Sequence, residues 1–251
     1  MLWQLSHLAN VLRPASVLHL ANLMAVSVVV LAAMGSVARA QEPFAYVVGY
    51  IETMPSGEKQ AAELVSRYAA SGRDATGNLR FQALQRIERP NQFAFVTAWK
   101  DQKDAEAFAA SATTLQFHDK LTPLLSAPYD ERPYTGLDVG STEVVGSIPP
   151  ASGAKDIVYA VTHVDIVPNK KDDGIAALKD ISAPSRTESG NLRYEVLQQN
   201  SRANHFTLVE VWRNQKALEA HEVAAHTVKM RQVLLPIEGA LYDQRLYHAL
   251  D

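Results

Sequence analysis

Two histidines and two glutamates fall within ten residues at ALEAHEVAAH, positions 217–226. Imidazole and carboxylate together can chelate a metal, run acid–base chemistry, or form plain ion pairs on a helix surface. A zinc-protease helix spaces its histidines at i and i+4, so that both reach one ion. His221 and His226 are five apart, a rotation of about 140° on a continuous helix. An undistorted helix therefore predicts no shared ion, and the chain has no cysteine to complete a site. His226 follows Glu222 at i+4, the spacing of a surface pair. His221 is then either a packed core histidine with one hydrogen bond or an acid–base group.

The chain carries its own control. From Tyr46 and Tyr159 onward it repeats itself at a constant offset of 113, without a gap, and 31 of the 95 positions paired between 44–138 and 157–251 are identical. GNLRFQALQ at Gly77 returns as GNLRYEVLQ at Gly190, and YDERPYTGLD at Tyr129 returns as YDQRLYHALD at Tyr242. Where the second copy has Glu210 and His221, the first has Thr97 and Phe108. The carboxylate and the imidazole are thus present together or absent together. Alternation on the strand HFTLVEVW sets Phe206, Leu208, Glu210 and Trp212 on one face and Val209 and Val211 on the other. With the bulkier face toward the helices, Glu210 enters the layer that His221 also enters, and a buried carboxylate needs such a partner. Leu218, His221, Ala225 and Val228 form the expected inward stripe of one long helix from Asn214 to about Leu235.

The elements that position these residues recur in each copy. A β-branched strand stops at a proline, a mixed helical stretch follows, and two strands flank a short polar turn. A long helix capped by Asn214 and a last strand close the unit. Pro184 is expected to end the second unit's first helix. The order β-α-β-β-α-β is the ferredoxin-like split βαβ, whose sheet leaves one face uncovered. The fold class is therefore α+β, with two tandem units at 44–138 and 157–251 pairing face to face. Residues 139–156, rich in Gly, Ser and Pro, read as a linker. Residues 1–40 have Arg13 and Arg39, no acid, an apolar core and Ala38-Arg39-Ala40 at the end. That layout predicts a cleaved signal peptide, hence a periplasmic or secreted protein with no membrane attachment after cleavage. Beyond it stand 22 basic and 27 acidic residues, which excludes the basic footprint of a nucleic-acid binder.

The second copy, with Glu210 and Trp212 on a strand and Ala220, His221 and His226 on the helix, resembles the antibiotic biosynthesis monooxygenase family. The first keeps only Trp99 and Ala107 of that pattern. The resemblance covers both units. It implies an α/β barrel of the dimeric type, here intramolecular, and oxidation of quinols or polycyclic phenols by O₂ without a cofactor. Under that reading His221 is the base that ionises a phenol and Glu210 orients it. Trp212, Tyr194, His226 and His163 contact the substrate, and the first unit is a structural half. A homo-oligomer is compatible with this organisation. The competing expectation is a non-catalytic exported module that binds a small aromatic ligand or a protein partner. A haem-degrading relative would use a histidine further along the helix, where His118 stands, but its counterpart is Arg231.

Overall fold

The computed structural model describes residues 44–146 and 156–250. The expected signal segment and residues 147–155 of the expected linker lie outside the described residues. The first unit runs β1 (Ala45–Glu52), α1 (Glu58–Arg73), β2 (Asn78–Arg86), β3 (Gln92–Trp99), α2 (Gln102–Ala109), α3 (Ala112–Leu121) and β4 (Asp130–Asp138). A five-residue helix, α4 (Thr142–Gly146), follows. The second unit repeats the order: β5 (Val158–Asp165), α5 (Lys171–Thr187), β6 (Asn191–Gln199), β7 (His205–Trp212), α6 (Gln215–Glu222), α7 (Ala225–Leu234) and β8 (Asp243–Ala249). The eight strands close into one antiparallel barrel in the order β1-β3-β2-β8-β5-β7-β6-β4. Each unit supplies a four-stranded sheet, and the seams are β2–β8 and β4–β6. Closure covers the face that a single sheet would leave in water. Among the described residues no helix is long and apolar enough to cross a membrane.

Alternation along the strands divides the core into an inner and an outer layer. Val209 and Val211 point inward and pack with Tyr46, Val48, Tyr134, Val161 and Tyr247 from both units, as their strand face predicts. Phe206, Leu208 and Trp212 point outward and pack under the second unit's helices with Leu178, Ile181, Leu218 and Met230. The barrel interior also holds charge. Arg80 donates to both carboxylate oxygens of Glu195 at 3.0 and 2.7 Å, and neither side chain is exposed. The repeat makes this arrangement nearly symmetric: Arg193 donates to Gln82 at 3.0 Å, and Gln82 occupies the place of Glu195. Tyr46 donates to Glu195 at 3.1 Å, and Gln82 donates to the paired Tyr159 at 2.7 Å.

The structure departs from the sequence expectations in three places. Pro184 does not end its helix: α5 passes through it to Thr187. Only the last turn follows, and there Ser185 and Thr187 use their hydroxyls on the carbonyls of Ile181 and Pro184. The first part of the expected linker is not free, because Val139 and Val145 are buried in the inner core and the Val145 carbonyl accepts from Arg80. The third departure matters most for function. The expected long helix is two helices, broken at Val223 and Ala224. The inward stripe therefore changes phase. Leu218 and His221 are buried as expected, but the stripe continues through Thr227, Met230 and Leu234, while Val228 is exposed.

Candidate functional site

The site is assembled from three chain segments in the outer layer of the second unit. Asn214 caps α6, accepting from the Ala217 amide at 2.9 Å, and starts the helix that delivers His221 in its last turn. The break then turns the chain, so that His226 stands in the first turn of α7. The third segment is the turn after α5, where Glu188 caps the helix with an extended backbone. Gly190 follows at φ +96°, and a Cβ there would sit 2.7 Å from that of Ala217. This close approach of turn and helix brings Glu188 beneath both imidazoles.

One oxygen of Glu188 lies 2.6 Å from His221 Nδ1 and 2.7 Å from His226 Nε2. An acceptor shared in this way requires both nitrogens to carry their protons. The remaining His221 nitrogen, Nε2, lies 3.5 Å from Glu210 Oε2. Glu210 is 1% exposed. Burial pushes its carboxyl up to about 7, against the indole N–H of Trp212, which pulls the other way. Burial likewise pushes His221 down, against the pull of Glu188. Trp212 and Tyr194 wall the imidazole, with ring centroids 4.7 and 5.8 Å from it.

Glu210 has a simpler duty as well. Trp212 Nε1 donates to it at 3.0 Å, and in the first unit Trp99 Nε1 donates to Thr97 Oγ1 at 2.8 Å. Both residues satisfy a buried indole, which explains the pair of residue types at that position without reference to chemistry. In the first unit Phe108, Phe81, Phe95 and Tyr68 fill the corresponding layer with ring on ring. The space left there is ≈ 20 Å³.

The geometry thus brings Glu210, His221, His226, Trp212 and Tyr194 together. It also adds Glu188, which the motif reading did not contain. The same comparison of copies that paired Glu210 with His221 exposes it, since the first unit has Ala75 there and Thr113 for His226. The expectation of no shared metal rested on an unbroken helix. The break overturns that argument, because it brings both imidazoles onto one carboxylate. His221 is buried, whereas His226 keeps 27% of its side chain exposed. His226 borders a cleft of ≈ 380 Å³ between α5 and α7, with Ala177, Asp180, Ile181, Met230 and Val233.

His163 is not part of this group. It stands on the inner face of β5, with Nδ1 3.2 Å from Thr207 Oγ1 and 3.5 Å from Arg132, and its ring 5.1 Å from that of Tyr50. Burial, then the charges of Arg132 and Arg245, push its pKa down to about 4, with Asp243 and Asp130 opposing. The unfolded chain therefore binds this proton first. The stability that neutral His163 gives is complete above roughly pH 6.5 and is lost as the pH falls toward 4, in total about 3 kcal/mol. Urea unfolding between pH 4 and 7 should show His163→Gln losing that part of the acid limb. Parallel curves for the two proteins would contradict the assignment.

A family model described as antibiotic biosynthesis monooxygenase matches the chain twice, over residues 44–120 and 157–233. The chain is 35% identical over 69 residues to the uncharacterized protein sll1783 of Synechocystis, a match covering 28% of this chain and 47% of that protein. It thus spans less than half the length of that relative. It is 25% identical over 70 residues to "Putative monooxygenase YcnE" of Bacillus subtilis, 28% of this chain and 74% of that protein. Among solved structures, a "Putative monooxygenase" of Fusobacterium nucleatum superposes with a TM-score of 0.72 at 13% identity, over 84% of this chain and 94% of the other. That last likeness is one of fold.

Proposed function

The chain belongs to the antibiotic biosynthesis monooxygenase family, and from that premise we propose that its second unit oxidises quinols or related phenols with O₂. The observation that carries this reading is the carboxylate-held histidine at the edge of a cleft. Glu188 accepts from His226 Nε2, which fixes the tautomer and leaves Nδ1 with its lone pair as the proton acceptor. We place the base at His226 rather than at His221, because His221 is 3% exposed and held between two carboxylates. His221 is then a positioning residue, fixing Glu188 from the other side.

A quinol that loses its proton to His226 becomes an anion able to give an electron to O₂. One oxygen atom ends on the ring and the other leaves as water, so that quinol plus O₂ gives hydroxyquinone plus water. The substrate supplies all four electrons, and no redox cofactor takes part in this scheme. Oxygen uptake by the purified protein against a panel of hydroquinones tests the reading. Consumption with one water formed per O₂ is expected, and no uptake above the free reaction would contradict it.

Export is proposed on the composition of residues 1–40. N-terminal sequencing of the protein recovered outside the cytoplasm should begin at Gln41. A product that still begins at Met1 and sediments with membranes would contradict removal of the segment.

A further inference from the structure

Glu188, His221 and His226 form a group whose ligand atoms all lie within 4.8 Å of one another. The structure assigns these three residues as the ligands of a divalent first-row transition-metal ion, of which Zn²⁺ is the type. The site is defined by atoms: one carboxylate oxygen, His221 Nδ1 and His226 Nε2. Two of the three separations, 2.6 and 2.7 Å, are hydrogen-bond lengths. Ligands about 2.0–2.1 Å from a tetrahedral ion stand roughly 3.4 Å from each other. Exchanging two shared protons for one ion therefore asks these two pairs to open by roughly 0.7 Å.

Three features make this a built site and not a chance cluster. The ligands come from the end of α5, the last turn of α6 and the first turn of α7, and the helix break is what brings the imidazoles together. Glu210 lies 3.5 Å from the far nitrogen of His221 and is itself held by Trp212 at 3.0 Å. That is the outer-shell carboxylate that orients a metal-bound histidine and raises its basicity. Finally, the set is absent as a set from the first unit, which has Ala75, Phe108 and Thr113. Two imidazoles and one carboxylate suit Zn²⁺, Fe²⁺ or Co²⁺ better than the all-oxygen preference of Ca²⁺ or Mg²⁺. With three protein ligands, a fourth position is left for water or a ligand, as in exchangeable sites.

Occupancy would act on the site described above, a consequence that rests on the proposed role of His226 while binding itself does not. A neutral imidazole carries one N–H. An ion on Nε2 places that proton on Nδ1 and removes the lone pair that accepts from the substrate. The ion and the reaction therefore compete for one histidine.

The test is a Co²⁺ titration of the chelator-treated protein, followed by visible absorption, with displacement by Zn²⁺. One equivalent with d–d bands is expected. His226→Thr and Glu188→Ala should each weaken binding by more than the ~10–100-fold that losing an outer-shell partner costs, and Glu210→Gln should weaken it by about that much. Circular dichroism checks that each variant is folded. No binding by the parent protein, or binding unchanged in His226→Thr, would overturn the site. Tight binding that leaves quinol-dependent oxygen uptake untouched would keep the ligand set and overturn the role given to His226.

Discussion

Replacing His226 with threonine, the residue of the first unit, should lower kcat by about 10²–10⁴-fold, the usual worth of a positioned acid–base group. KM should change little, because the rest of the cleft wall, which includes Ala177, Ile181, Met230 and Val233, is unchanged. The fold should survive, since Thr113 already stands at the same point of an equivalent helix. Glu188→Ala and His221→Phe should also lower kcat. A double change with His226→Thr should cost little beyond the worse single change, because residues that act as a unit are not additive. A folding control separates this account from a structural one. If the group only packs, kcat falls only as far as the folded fraction falls. If His226 is the base, kcat falls in a protein that is fully folded.

The second large effect concerns stability. Glu195→Gln copies Gln82 from the other half of the barrel and removes the carboxylate that both arginines face. Arg80 then loses its two-point contact. Arg193, whose pKa burial and Arg80 already push down to about 10, loses the charge 3.9 Å from its Nε. Breaking one partner out of a buried pair costs about 3–5 kcal/mol. For a domain of this size that is a fall in Tm on the order of 10 °C. Changing Arg80 to Gln in the same protein should recover part of the loss, because the guanidinium left facing a neutral amide is then removed while Arg193 stays. Urea unfolding of the two variants measures both numbers. A single variant within about 1 kcal/mol of the parent protein would show that the pair contributes little.

The fold was largely legible because the duplication supplied two readings of each element. Alternation on β7 placed Val209 and Val211 inside the barrel and Glu210 in the helix layer, and Asn214 marked the start of α6. The break after Glu222 was not legible from the second copy. Val223, Ala224 and Ala225 are residues that continue a helix, and no Pro or Gly interrupts them. The first copy held the signal, since Ser111 caps α3 there by accepting from Thr114, while Ala224 has no side chain to do so.

Glu188 was hidden for a different reason. It lies in TESGN, a polar stretch that reads as a surface turn, and its partners are 33 and 38 residues away. The close approach of Gly190 to Ala217 sets this turn against α6. The Arg80–Glu195 contact spans 115 residues and both units. Arg80 recurs as Arg193, but the glutamate that pairs with Arg80 has glutamine as its counterpart, so repetition could not point to it.

The most direct test of the central claim follows the oxygen atoms. The purified protein is incubated with a hydroquinone under ¹⁸O₂, and the product is analysed by mass spectrometry. The account predicts one labelled oxygen in the hydroxyquinone, the other label in water, and neither above the free reaction when His226→Thr replaces the parent protein. A quinone with no added oxygen, or equal labelling with His226→Thr, would contradict it.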